Sequence, residues 1–175
     1  GKVSLSIPTR RRQRGLNAPA PTIAVLSTSP ALASILGATL RRGHAWRVRE
    51  FRDTRALSAY MRIAPVAVLV ADYALESATA ADIALELRSD DLIVSRHVQI
   101  IALSKEVNLA MRQRCVQAGI DEVIMKPMSP IYLEERITAR LRSLPRDHIS
   151  CGPAYAGPER RGRIVRHAAW IMALI

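Results

Sequence analysis

The chain has 175 residues, a formal net charge of +11, 49% hydrophobic side chains and only 4% aromatic ones. That length holds one domain plus tails, with a core built mainly of Ala, Val, Ile and Leu. Two cysteines, Cys115 and Cys151, form no CxxC pattern and do not suggest a disulfide framework, no run reaches the roughly 18 apolar residues of a membrane span, and residues 1–20 have no secretory apolar region, so a cytoplasmic protein is expected.

The charge is uneven. Residues 1–20 carry Lys2, Arg10, Arg11, Arg12 and Arg14 and no acid, residues 21–144 hold 16 basic and 13 acidic side chains, and residues 145–175 hold 5 basic and 2 acidic. Residues 1–21, with Pro8, Pro19 and Pro21, read as an extended basic arm suited to an acidic partner. Thr22–Leu26 is an apolar strand. Ser29-Pro30 supplies a hydroxyl cap and a proline at the first helical position, followed by Leu32, Ile35, Leu36 and Leu40 at helical spacing, with Gly43 as the stop. Ala45–Phe51 alternates as a more exposed strand. Asp53 or Thr54 caps a helix with Leu57, Tyr60 and Met61 inward, and Pro65 ends it. Pro65–Ala71 reads as the central strand, Ala78–Arg88 as a helix carrying Ile83, Ala84 and Leu87 on one face, and Val98–Leu103 as the next strand. Asn108–Ala118 is helical up to Gly119, Glu122–Met125 is the last strand, and Ser129-Pro130 opens a helix over Ile131–Leu144 that Pro145 ends. Alternating strands and helices argue a doubly wound α/β domain.

Three of these strands end on groups capable of chemistry: Asp72, Ser104 and Lys126. In an open parallel sheet such ends share one edge, where ligands bind. The hydroxyls of Ser27, Thr28 and Ser29 stand at the start of the first helix, where they either cap it or face an anion. His44, His97, His148 and His167 have no metal-ligand spacing, and Asp121 and Glu122 read as solvated turn residues. No Ser-His-Asp arrangement, Gly-rich phosphate loop or catalytic carboxylate pair is present.

Ser29-Pro30, Ala71-Asp72-Tyr73, Ala102-Leu103-Ser104 and the segment from Ala118-Gly119 to Lys126-Pro127 stand in order at characteristic separations. Over residues 22–144 the chain thereby resembles the receiver domain of bacterial two-component response regulators. The resemblance implies a flavodoxin-like, five-stranded parallel sheet of order 2-1-3-4-5, with residues 22–145 as the domain and 146–175 as a tail. It implies that Asp72 accepts a phosphoryl group from a histidine kinase or phosphotransfer protein. Ser104 would then bond a phosphoryl oxygen, and Lys126, placed by a cis Lys126-Pro127 bond, would pair with the phosphate or with Asp72. An ammonium and a hydroxyl donor neutralise part of the charge that develops there. It further implies a non-enzymatic module in phosphorelay signalling that contacts a downstream protein through the last strand and its flanking helices. The plain structural alternative is an Asp72–Lys126 ion pair that fixes strand order.

The chain departs from the family at two points. Where the family carries an acidic pair to hold Mg²⁺, this chain has Ser27 and Thr28, leaving Asp72 alone to draw the ion, so weak metal binding and weak phosphorylation are expected. The family's aromatic switch position, three residues before the lysine, is Val123. A phosphorylation-independent pseudo-receiver adaptor is therefore the alternative to a phospho-switched regulator. A third reading takes Arg140 and Arg142, with Arg160, Arg161 and Arg163, as a clamp for a nucleotide or nucleic acid; Arg140 and Arg142 also suit the negative end of their own helix. The segment Tyr155–Arg161 resembles a short motif found after some bacterial receiver domains. Ala168–Ile175 is apolar enough to dock on the domain or on a partner, and the 31 residues after Leu144 are too few for a DNA-binding output domain.

Overall fold

The computed structural model describes residues 19–42 and 45–143. Ten elements alternate along it: β1 (Thr22–Leu26), α1 (Pro30–Arg41), β2 (Arg47–Phe51), α2 (Thr54–Met61), β3 (Val68–Asp72), α3 (Ala80–Ser89), β4 (Gln99–Ser104), α4 (Leu109–Ala118), β5 (Glu122–Met125) and α5 (Pro130–Arg142). The strands form one sheet of order β2-β1-β3-β4-β5, and every neighbouring pair is parallel.

The two-residue period of the strands sorts their side chains into two layers. Ala24, Leu69, Ile100 and Ala102 face α2, α3 and α4, where Leu57, Ile83, Leu87 and Cys115 close the core. Ile23, Val25, Val70 and Ile101 face α1 and α5 and pack on Leu36, Leu40, Leu133 and Ile137. Both faces of the central strands are therefore dry, which is why their sequences are continuous apolar runs. Burial pushes the Cys115 thiol up to about 12, so it is inert as a nucleophile.

Helix starts follow their caps. Ser29, Asp53, Asn108 and Ser129 each accept a backbone N–H of the first turn. Thr79 and Asp82 form a reciprocal capping box, so α3 starts at Ala80 and not at Ala78. Gly119 closes α4 in the left-handed region (φ 81°), where glycine bears no Cβ penalty. The central strand begins at Val68 and includes Asp72, so it is shorter at its start than Pro65–Ala71 and longer at its end. Helix α2 stops at Met61, ahead of Pro65, and Tyr60 is only partly buried. The inward face of α1 is Ala33, Leu36, Gly37 and Leu40, while Ile35 is 62% exposed, because the seam against the sheet is narrower than the apolar spacing suggested. Gly37 marks the close approach of α1 to β2: a Cβ there would sit 1.9 Å from a carboxylate oxygen of Glu50. Gly43 and Pro145, expected as helix stops, lie outside the described residues. No helix among the described residues is long and apolar enough to cross a membrane.

Candidate functional site at the C-terminal edge of the sheet

Strand β3 delivers Asp72 to the sheet edge, opposite Leu103 of β4. Lys126 follows β5 directly, and its amide continues the ladder by donating to the Ser104 carbonyl at 2.8 Å. The Lys126-Pro127 bond is cis. Ser27 follows β1 and is held by its own amide on the Phe51 carbonyl at 3.1 Å. Three segments far apart in sequence thus meet at one carboxylate.

Both oxygens of that carboxylate are engaged. The Lys126 ammonium lies 2.9 Å from Asp72 Oδ1. The Ser27 hydroxyl donates to Oδ2 at 2.5 Å, and the same hydroxyl accepts the Ser29 amide at 3.2 Å, which fixes its orientation. Ser27 and Asp72 are 1% and 6% exposed, so the hydroxyl–carboxylate bond is shielded from water and short, as charge-assisted bonds are. An open cleft of about 720 Å³ adjoins the pair, lined among others by Thr28, Asp72, Ser104, Lys105, Met111 and Lys126.

The expected residues are only partly brought together. Asp72, Lys126 and Ser27 are in contact. Ser104 lines the same cleft, but its hydroxyl donates to the Glu106 carbonyl at 2.6 Å and accepts the Glu106 amide at 3.3 Å. That local turn competes with any role toward Asp72. Thr28 lines the cleft from an exposed position. Val123 is buried in the core and carries no ring to swing.

The donor set does not fit Mg²⁺. The ion takes octahedral oxygen ligands and draws on carboxylates. Here the two residues after β1 are Ser27 and Thr28, which supply no carboxylate beside Asp72, and no group of three or more His, Cys, Asp or Glu suited to a metal occurs among the described residues.

Two acids expected in a solvated turn are buried. Asp121 is 3% exposed, accepts the Ile100 amide at 2.8 Å and pairs with Arg88 at 3.2 Å. Glu122, also 3% exposed, takes the Arg136 guanidinium on both oxygens and lies 3.6 Å from Arg140. Hydrogen bonding to Glu122 holds Arg136 above its ordinary pKa. Arg136 and Arg140 are four residues apart, on one face of α5, and that spacing was the available signal. Arg140 is therefore part of the fold's interior, 5% exposed, and not of a basic tail. Arg142 is exposed at the end of α5, and Arg160, Arg161 and Arg163 lie outside the described residues, as do the tail motif and the apolar end.

A family model described as the response regulator receiver domain matches residues 23–138. No curated protein sequence matches the chain. Among solved structures, the chemotaxis protein CheY4 of Vibrio cholerae superposes with a TM-score of 0.63 at 18% identity, covering 69% of this chain and 98% of that one. The signal receiver domain of a signal transduction histidine kinase from Syntrophus aciditrophicus gives 0.63 at 18% identity, covering 73% and 94%. A CheY-like receiver domain protein from Methanospirillum hungatei gives 0.62 at 18% identity, covering 70% and 94%. The parallel order β2-β1-β3-β4-β5 is theirs as well, and the family match spans most of the described residues, so the chain belongs to the response regulator receiver domains of two-component signalling.

Proposed function

We propose that this chain is a receiver module whose switch site has become a fixed internal pairing, and that it signals by protein–protein contact without phosphorylation of Asp72. The observation that carries this reading is that the Ser27 hydroxyl and the Lys126 ammonium each hold one oxygen of the Asp72 carboxylate. A phosphoryl acceptor needs a free oxygen and neutralisation of the charge that develops during transfer. Here the hydroxyl of Ser27 occupies one oxygen, no acidic pair is present to bring in a divalent cation, and the Ser104 hydroxyl is bonded within its own loop. The Lys126 ammonium then serves as a permanent counter-charge, holding the ends of β3 and β5 in one arrangement.

A second reading keeps Asp72 as a weak phosphoacceptor for a histidine kinase or phosphotransfer protein. Its support is the position of Asp72 and Lys126 beside an open cleft of about 720 Å³. Incubation with acetyl phosphate and Mg²⁺, followed by intact-protein mass measurement, separates the two. The fixed-pairing reading expects the unmodified mass. A gain of one phosphoryl group that disappears in Asp72→Asn establishes the second reading instead.

A further inference from the structure

The net positive charge of the described residues comes from one stretch of the sequence. Residues 41–62, from the end of α1 through β2 and α2, hold seven arginines and two acids, while the other described residues hold nine basic and eleven acidic side chains. All seven arginines are exposed. Arg41 pairs with Glu50 at 3.8 Å and Arg62 with Asp90 at 2.9 Å. Arg42, Arg47, Arg49, Arg52 and Arg55 form no ion pair with a described acid. The patch contains no lysine.

Among the described residues β2 has β1 as its one neighbour, which sets the patch at an edge of the sheet. Arg47 and Arg49 project from the same face of β2, about 6.6 Å apart by strand rise. Arg49 lies 5.8 Å from the centroid of the Tyr60 ring, and that ring packs on Phe51 at 5.3 Å. A charge or two on an edge strand guards against unwanted pairing. Five guanidiniums without an acidic partner among the described residues exceed that need, and like charges repel one another unless an anion is bound. The chain enters the fold beside them: the Arg47 amide donates to the Pro21 carbonyl at 2.9 Å, and Thr22 is in register with Arg47.

We infer that the β2 edge binds the phosphodiester backbone of a nucleic acid, without reading base sequence. A guanidinium fork matches a phosphate oxygen pair better than an ammonium does. Exposed arginines on β2 and on the adjoining α2 suit a polyanion that presents many charges. An acidic protein would have to present carboxylates in matching positions, and an anionic membrane would favour apolar residues within the patch. This binding does not involve Asp72.

The full chain is tested by fluorescence anisotropy with a short, labelled, mixed-sequence single-stranded oligonucleotide. The triple variant Arg47→Ala/Arg52→Ala/Arg55→Ala is compared with the charge-matched Arg96→Ala/Arg114→Ala/Arg142→Ala. The first is expected to lose at least about tenfold in affinity at low salt. Each lost single-strand phosphate contact lowers the salt slope by about 0.7, so three lost contacts shrink the affinity drop between about 50 and 200 mM salt by about twentyfold. The control is expected to stay within about twofold of the unaltered chain. Equal losses in both triples, no binding at low salt, or binding to phosphatidylserine vesicles or polyglutamate that the oligonucleotide does not displace would each overturn the inference. Photocross-linking of a thiouridine oligonucleotide to the unaltered chain gives an independent check: adducts in peptides from residues 41–62 support it, and adducts confined to other peptides reject it.

Discussion

Replacing Ser27 and Thr28 by aspartate tests whether the missing acids are the reason this site stands apart from a metal-dependent one. Ser27 Oγ lies 2.5 Å from Asp72 Oδ2, so a carboxylate at position 27 falls within roughly 4 Å of a second carboxylate that is buried. Two like charges at about 4 Å repel by about 4 kcal/mol at an effective dielectric constant near 20. The Lys126 ammonium and rotation of the new side chain remove part of this, leaving a net destabilisation of about 2–3 kcal/mol. For a domain of this size that lowers Tm by about 8–12 °C. A ligand held by the native state alone returns about 2.7 kcal/mol at a hundredfold excess over its Kd. Ser27→Asp/Thr28→Asp should therefore melt lower than the unaltered chain without divalent cation and recover most of the loss in Mg²⁺, while the unaltered chain shows no Mg²⁺ dependence. Thermal unfolding followed by circular dichroism, with Mg²⁺ and with chelator, reads both. If the unaltered chain gains as much from Mg²⁺ as the variant, or if the variant is no less stable in chelator, the electrostatic reasoning fails.

Lys126→Met leaves the Asp72 carboxylate with the Ser27 hydroxyl alone and should cost about 3 kcal/mol in urea unfolding. Asp72→Asn/Lys126→Met, which strands no charge, should recover most of that, and strict additivity of the two single changes would contradict the pairing. Glu122→Gln sets a neutral amide against Arg136 and Arg140 and should cost about 3 kcal/mol, detected in the same unfolding assay; a change within about 0.5 kcal/mol would show that the pair is solvated. The backbone amide of Thr79, then its hydroxyl, hold the Asp82 carboxyl below its ordinary value. A depressed carboxyl contributes stability above its unfolded pKa and loses it as pH falls through the folded one. Thr79→Ala removes the hydroxyl but not the amide, so the Asp82 titration followed by NMR should move part of the way up toward the ordinary range; no movement would contradict the capping box.

Much of the fold was legible because its signals are local. Apolar runs bounded by Ser-Pro, Asp or Gly fixed the alternation of strands and helices, and the placement of Asp72 and Lys126 at strand ends followed from that alternation alone. The partners of Asp121 and Glu122 were not legible, because Arg88, Arg136 and Arg140 reach them from other elements. A charged residue shortly after a helix-ending glycine looks solvated until the helix that covers it is placed. Ser104 lines the cleft beside Asp72, but the bond its hydroxyl makes was not legible: it donates to Glu106, two residues on in its own loop, as short hydroxyl side chains often do. The basic edge was hidden by averaging. Residues 21–144 carry a net charge of only +3, yet residues 41–62 alone hold seven arginines and two acids and include the edge strand β2.

A crystal structure of the chain grown with beryllofluoride and Mg²⁺ tests the central claim most directly. The account predicts an unmodified Asp72, its oxygens still on Ser27 Oγ and Lys126 Nζ. A beryllofluoride group on Asp72, with a magnesium ion beside it and Ser27 turned away, would contradict it.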